Sequence, residues 1–299
     1  MPKLAIPLNA ALLAVFINVL WGGNPVAVKV ALEWIPPLWT GFFRFLLGIL
    51  TVAAYATWRG IPLWPTQAEW GRLMILAFVF ALQITVMNYS YDMTPASVAV
   101  VVQSTFPLFV ALMAHFYVEN DRLHPAKSLG LLIAFVGVAA IILRETGVGG
   151  VGWLGFGPLL VLLSSVMLAG RIVFSANLVR SIDPVKVTIW QMILSLPYFL
   201  IGGLAFEQIQ WQNFGLGPLL GILFQGVVIA GFGFVVAITL PKYYNPSIVT
   251  SIGFLTPVSG VLLAMWLLGE PLSWQLVVGT VAVGLGLYLI VRQPRGRPS

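Results

Sequence analysis

The sequence predicts an all-α membrane protein: ten transmembrane helices, arranged as two inverted five-helix repeats around a central cavity. Three observations support this fold class, namely the composition, a repeat of half the chain length and the distribution of cations. Hydrophobic residues make up 60% of the 299 residues and charged residues 8%, with a mean hydropathy of +0.99. A soluble domain carries about 25% charged residues, so most of this chain is expected to lie in lipid. The spans should be helices, because an open sheet would leave unpaired backbone groups in lipid.

Charged and loop residues divide the chain into segments long enough to cross a bilayer. About twenty residues at ~1.5 Å each span the ~30 Å hydrocarbon core. The predicted spans are residues 8–31, 37–58, 70–91, 95–118, 126–143, 153–179, 184–206, 216–241, 246–268 and 274–291. Five spans in each half is an odd number, so the second half must enter the membrane from the opposite side.

The repeat is clearest around two prolines. When the chain is shifted by half its length, Ser247 meets Ser97 and Pro257 meets Pro107. Such a period indicates internal duplication, and in a membrane protein it points first to a transporter. We therefore predict one bundle built from two repeats, residues 1–146 and residues 147–299.

The same two prolines should disturb their helices. Proline lacks a backbone donor and kinks a helix. We therefore predict that Pro107 and Pro257 are paired hinges of the two halves.

The cations predict the orientation of the bundle. If the N-terminus is inside, eleven Lys and Arg residues fall in cytoplasmic segments, and only Arg144 falls on the other side. The eleven are Lys3, Arg59, Arg72, Arg122, Lys127, Arg180, Lys186, Lys242, Arg292, Arg295 and Arg297. This is a strong positive-inside signal, so both termini are expected in the cytoplasm. The net charge of +6 is thereby assigned to the membrane surface, and no nucleic-acid partner is expected.

Three motifs allow a comparison with a known family. They are WGGNPVAVK at residues 21–29, PPLWTGFFRF at residues 36–45, and the repeated proline-centred helix that ends in a Glu. Together they resemble the EamA family of the drug/metabolite transporter superfamily over almost the whole chain. The resemblance implies export of small metabolites, often amino acids, from a central cavity across the bacterial inner membrane. Within the family, this aromatic-rich chain looks similar to the bacterial aromatic-amino-acid exporters.

Polar residues inside spans are rare and are functional candidates by default. An amide and a ring, Gln225 and Phe232, share one stripe of an α-helix with Ile229 between them. A lining of amides and aromatic rings suits a zwitterion with an apolar side chain. The alternative for each single amide is a hydrogen bond between helices. The predicted substrate-binding residues are Trp21, Gln83, Asn88, Tyr91, Gln103, Gln225 and Phe232.

Three cations lie inside the predicted spans and are possible charged contacts of a substrate. Lys29 shares a stripe with Trp21, and the alternative is that its amine reaches the headgroups. Arg44 lies two turns inside the second helix, where a structural bond to carbonyls or to Glu33 is the alternative. Arg171 of the sixth helix is expected to contact a substrate carboxylate from the cytoplasmic side, and the alternative is that its side chain extends to the cytoplasmic surface.

Small residues predict close packing of the fifth and tenth helices. Gly130 and Gly137, like Gly279 and Gly286, are spaced seven apart and share a helix face. Such faces let helices approach closely. They predict a scaffold contact or a dimer contact, so the protein is expected to be a monomer or a weak homodimer through these helices.

Missing motifs narrow the function. The chain has no P-loop, no metal-binding histidine motif and no cysteine, so we expect no cofactor and no metal. No Asp or Glu lies at the centre of a span, which argues against proton coupling through a carboxylate. We predict a secondary transporter that exports aromatic and other neutral amino acids by alternating access. The alternative substrates are nucleosides, sugars or drug-like metabolites. A membrane-embedded enzyme is disfavoured, because the spans hold no paired nucleophile and base.

Overall fold

The computed structural model describes residues 7–117, 125–147, 156–244 and 252–291. Within these ranges the regular structure is helical and contains no strand. The helices are α1 (Leu8–Gly22 and Asn24–Leu32), α2 (Pro37–Trp58), α3 (Gln67–Asp92), α4 (Ala96–Gln103 and Phe106–Tyr117), α5 (Pro125–Gly147), α6 (Gly157–Leu178), α7 (Pro184–Phe206), α8 (Leu216–Leu223, Phe224–Gly233 and Phe234–Tyr243), α9 (Leu255–Leu268) and α10 (Trp274–Val291). Eight of them, α1 to α8, are long and apolar enough to cross a membrane, and α9 and α10 are shorter apolar helices. The all-helical membrane class is confirmed, while the inverted arrangement and the count of ten spans stay predictions.

The helices begin where local sequence signals place them. Pro37 and Pro184 are the first residues of α2 and α7, a position where the missing N–H of proline costs nothing. Thr66 and Glu69 form a reciprocal capping box at the start of α3. The side chain of Asp183 accepts a hydrogen bond of 2.8 Å from the N–H of Val185. These caps satisfy backbone donors that the first turn of a helix leaves free.

The most extensive helix contacts each join one helix from each half of the chain. α5 packs on α10, α3 on α6 and α7, α2 on α7 and α8, and α1 and α4 on α9. Neither half therefore buries its apolar faces against itself alone. The cavity described below lies within this shared packing.

Both repeated prolines follow directly after an irregular turn. α4 is interrupted at residues 104–105, and Pro107 is the second residue of the helical piece that follows. Pro257 lies in the first turn of α9, just after a 3₁₀ turn at Ile252–Phe254. Proline prevents a regular α-helix from continuing before it in both places, because it lacks an N–H and its ring clashes with the carbonyl four residues earlier. The hinge role of the two prolines stays a prediction.

The middle of α8 departs from α-helical geometry. Phe224–Gly233 is a π-helix, which bonds i→i+5 and therefore needs more residues per turn than an α-helix. Seven residues no longer complete two turns, so Gln225 and Phe232 do not share a face. Gln225 is buried, whereas Phe232 is 41% exposed. The stripe expected from α-helical periodicity is absent here.

The glycines of α5 and α10 hold these two helices against each other within one chain. A Cβ on Gly286 would lie 2.5 Å from the carbonyl oxygen of Gly130, and one on Gly137 would lie 2.5 Å from Cβ of Ala282. A Cβ on Gly279 would meet the side chain of Ile141. These faces are therefore used as scaffold, and a homodimer would need another surface of the same helices.

Two carboxylates bridge the halves at one end of the bundle. Glu207, after α7, accepts hydrogen bonds of 2.9 and 3.1 Å from the N–H groups of Leu38 and Trp39 in α2. Glu270, after α9, accepts bonds of 2.6 and 2.9 Å from the N–H groups of Ala96 and Ser97 in α4. A helix N-terminus attracts negative charge, so each carboxylate both caps a helix and ties the second half to the first.

Candidate functional site

A cavity of about 220 Å³ lies inside the bundle. Its lining comes from α1, α2, α3, α4, α6, α8 and α9, and so from both halves of the chain. The lining residues are Trp21, Asn24, Pro25, Arg44, Gln83, Ile84, Met87, Tyr91, Val100, Gln103, Ser104, Phe106, Leu168, Arg171, Ile172, Ile229, Phe234 and Thr256. Six of the ten predicted binding and charged contacts are among them, namely Trp21, Arg44, Gln83, Tyr91, Gln103 and Arg171.

Two guanidinium groups contribute the charge of the cavity. Arg44 is 3% exposed, and its Nε and Nη1 atoms are buried without a hydrogen-bond partner. Arg171 is partly buried, and its Nη1 atom donates a 3.1 Å hydrogen bond to Oε1 of Gln191 in α7. The Nε atom of Arg171 has no partner. No described contact joins Arg44 to Glu33, which is the structural bond considered from the sequence.

Three amides bring unused hydrogen-bonding atoms to the same space. Gln83 is 1% exposed; its Nε2 atom donates to Oγ of Ser164 at 3.1 Å, while Oε1 has no partner. Both polar atoms of Gln103 are buried and unpaired, as is Oδ1 of Asn24. Buried polar groups are nearly always paired in native proteins. These amides therefore offer donors and acceptors to a molecule in the cavity.

Aromatic rings form much of the remaining wall. The indole Nε1 of Trp21 is buried and unpaired, and Tyr91 is fully buried against the cavity. Phe106 and Phe234 also line it, although sequence reasoning did not select them. Phe106 follows the break in α4 and Phe234 follows the π-helix of α8, and α-helical periodicity predicts neither irregularity.

Four predicted contacts lie away from the cavity. Asn88 donates a 2.8 Å bond to the carbonyl of Pro37, and Gln225 donates a 3.1 Å bond to the carbonyl of Ala27. Both therefore connect helices, which is the alternative that the sequence left open. Phe232 faces outward, and the Nζ atom of Lys29 donates a 3.0 Å bond to the carbonyl of Asp92.

Three polar lining residues, Asn24, Ser104 and Thr256, are not among the predicted binding residues. Asn24 is a polar residue inside a span next to Pro25, so the rarity of such residues was a usable signal. Thr256 and Ser104 are lining residues, and the Oγ1 atom of Thr256 donates a 3.0 Å bond to Oδ1 of Asn18. Phe106 and Thr256 directly precede Pro107 and Pro257, so the break in α4 and the first turn of α9 lie at the cavity wall.

A polytopic helical bundle around a polar, aromatic-lined cavity is the architecture of a membrane transport protein. The chain belongs to the EamA-like transporter family, whose model matches it twice, over residues 8–143 and 155–292. The family expectation from the sequence motifs is therefore confirmed.

The chain is similar to several bacterial membrane proteins over nearly its whole length. It is 27% identical to the uncharacterized inner membrane transporter YedA of Escherichia coli K12, over 97% of this chain and 94% of that protein. It is 28% identical to the uncharacterized transporter YvbV of Bacillus subtilis 168, with coverages of 94% and 91%. It is 26% identical to a probable amino-acid metabolite efflux pump of Escherichia coli K12, with coverages of 96% and 96%.

The fold is also found among solved crystal structures, one of which covers nearly the whole chain. Its TM-score is 0.70 at 19% identity, and the match covers 94% of this chain and 95% of that one.

Proposed function

We propose that this protein is a secondary transporter of the bacterial inner membrane that exports aromatic and other neutral amino acids by alternating access. The observation that carries the proposal is the cavity, which both halves of the chain line with unpaired amide atoms, aromatic rings and buried cations. Its substrate is a small molecule, and the bilayer is its environment.

The size of the cavity favours a small metabolite. Pockets for drug-sized ligands measure roughly 300–1,000 Å³, whereas this one measures about 220 Å³. Amides bind the polar groups of an amino acid, and the faces of Trp21, Tyr91, Phe106 and Phe234 accept an apolar or aromatic side chain. The relative described as a probable amino-acid metabolite efflux pump supports the same substrate class.

The lining also supports facilitated transport. None of the residues that line the cavity, all of which lie in the described ranges, is Asp, Glu or His. A proton relay through a membrane usually uses such groups. The break in α4 and the first turn of α9 lie at the cavity wall, where bending would open one side or the other.

Two alternatives are weaker. Nucleosides, sugars and drug-like metabolites would also bond to the amides. Sugars, however, carry no apolar side chain for the four aromatic residues, and nucleosides and drug-like metabolites are larger than amino acids and fit a cavity of about 220 Å³ less well. An enzyme would need a nucleophile beside a base, and the hydroxyl of Ser104 instead donates to the carbonyl of Val100 at 2.7 Å. The lining favours transport over catalysis.

Efflux from proteoliposomes tests the proposal. Vesicles are loaded with labelled L-phenylalanine, L-leucine, uridine or glucose, and release is followed with and without a proton gradient. We expect the amino acids to leave faster than they leave protein-free vesicles, and the gradient to make no difference. Equal release from protein-free vesicles, or preference for uridine or glucose, would contradict amino-acid export.

A matched pair of variants locates the route. Gln103→Trp places a large ring where an unpaired amide faces the cavity, so it should block efflux. Phe232→Leu changes an outward-facing residue of α8 and should leave efflux and substrate order unchanged. The cavity is not the transport route if Phe232→Leu slows efflux or changes the order of substrate preference while Gln103→Trp has no larger effect on the efflux rate.

A further inference from the structure

Arg44 and Arg171 bring two positive charges to one cavity that contains no acidic side chain. No Asp or Glu is among the lining residues. The acidic residues whose side chains the structure describes lie at helix ends or in connections: Glu33, Glu69, Asp92, Asp183, Glu207 and Glu270. Two of these, Glu207 and Glu270, are already bonded to helix N-termini. Neither arginine therefore has a counter-charge in the described part of the protein.

The two guanidinium groups share an aromatic support. Cζ of Arg44 lies 5.4 Å from the ring centroid of Phe45, and Cζ of Arg171 lies 5.0 Å from that of Phe80. The two rings are in contact, with centroids 4.6 Å apart. The faces of aromatic rings attract cations, so Phe45 and Phe80 hold both guanidinium groups beside the cavity. The rings carry no net charge, so they do not neutralise the two cations. Gln191 supplies Arg171 with one neutral acceptor, which also leaves the charge uncompensated.

Buried cations of this kind call for an anionic partner. A charge removed from water is costly unless it is paired and hydrogen-bonded. Here the Nε and Nη1 atoms of Arg44 and the Nε atom of Arg171 are enclosed without protein partners. The planar guanidinium presents several N–H donors in a geometry that matches a carboxylate.

We propose that the transported molecule itself supplies the counter-charge, with its carboxylate bound between Arg44 and Arg171. This rests on the proposed function, because it assigns one end of the substrate within the same cavity. The amides of Gln83 and Gln103 then face the amine, and the rings face the side chain. Two like charges repel a cation that lacks a carboxylate, so simple amines are excluded.

Binding of matched probes to the wild-type protein tests the proposal without any substitution. The thermal unfolding midpoint of the purified protein is measured against increasing 3-phenylpropionate (an anion), 3-phenylpropionamide (neutral and of the same shape) and 2-phenylethylamine (a cation). A ligand that binds only the folded state raises its stability with concentration. We expect the anion to bind at least about ten-fold more tightly than the amide, and the amine to give no shift.

Substitutions then identify the cations. Arg44→Gln and Arg171→Gln should each weaken 3-phenylpropionate binding by about ten-fold or more, because each removes charged donors. Arg44→Lys keeps a charge without the planar donor set and should give an intermediate loss. Arg72→Gln is the control, because Arg72 is exposed near the start of α3 and should not affect binding. If Arg44→Gln does not fold, the three probes and Arg171→Gln still decide.

Several outcomes overturn the carboxylate site. They are equal binding of the amide and the anion, unchanged binding in both Gln variants, and a midpoint shift that sodium chloride reproduces. A shift with inorganic phosphate but none with 3-phenylpropionate would assign the cations to a phosphate.

The proposed function fails separately from the carboxylate site. Arginine-dependent probe binding without amino-acid efflux contradicts the exporter and keeps the site. Normal amino-acid efflux with an unchanged KM in Arg44→Gln and Arg171→Gln contradicts the carboxylate site and keeps the exporter.

Discussion

Replacing Gln103 by alanine removes an amide whose two polar atoms are buried at the cavity without any protein partner. No protein group loses a hydrogen bond, so the free energy of unfolding should change little. A bond from this amide to a charged group of the substrate contributes about 1.5–3 kcal/mol. Since about 1.4 kcal/mol corresponds to ten-fold in affinity, Gln103→Ala should weaken substrate binding by about ten- to a hundred-fold.

Gln225→Ala is the matched control for this prediction. Gln225 is the same residue type and is fully buried, but its Nε2 atom donates to the carbonyl of Ala27. Its removal leaves that carbonyl without this partner and should lower stability by about 0.5–1.5 kcal/mol, while substrate affinity stays unchanged. The expected pattern is therefore opposite for the two variants, with loss of affinity in one and loss of stability in the other.

The two quantities are measured on the same preparations. Equilibrium binding of labelled L-phenylalanine gives the dissociation constant, and thermal unfolding without ligand gives the stability. If Gln225→Ala weakens binding as much as Gln103→Ala, or if Gln103→Ala binds normally, the substrate does not contact the amides of this cavity.

Three further predictions concern the frame around the cavity. A cysteine at Asn213, which donates to the carbonyl of Glu33, should react with an impermeant reagent added outside intact cells, and one at Gln67 should not; labelling at Gln67 alone would reverse the orientation. Pro107→Ala and Pro257→Ala should each slow efflux with little loss of folded protein, and native rates in both would show that the prolines are not hinges. Glu270→Ala removes the cap of α4 and should lower the free energy of unfolding by about 1–2 kcal/mol, which an unchanged unfolding midpoint would contradict.

Composition and periodicity determined the class of this protein. Because lipid cannot form hydrogen bonds with the backbone N–H and C=O groups, a chain this apolar has to form helices. Prolines and charged residues mark where these helices begin and end. The predicted spans at residues 37–58, 184–206 and 274–291 coincide with α2, α7 and α10. The family likewise followed from short motifs, because they are local in the chain.

The tertiary structure decided which polar residues face the cavity. Gln83, Asn88 and Gln225 are all buried amides inside helices, and sequence alone does not tell a lining amide from one that bonds a neighbouring carbonyl. The difference depends on which backbone lies opposite, and that is set by packing between the two halves. Phe232 shows the same limit in another form, because the π-helix of α8 rotates it outward.

The two arginines show most clearly what folding adds. Each reads in the sequence as an isolated cation in a separate helix, for which a local structural role or contact with the membrane surface was the alternative. Only the packing of α2 and α6 around the rings of Phe45 and Phe80 brings both charges to one cavity. The energetic cost of a buried charge, and the partner it needs, depend on the groups around it in space. In this protein those groups come from helices far apart in the chain.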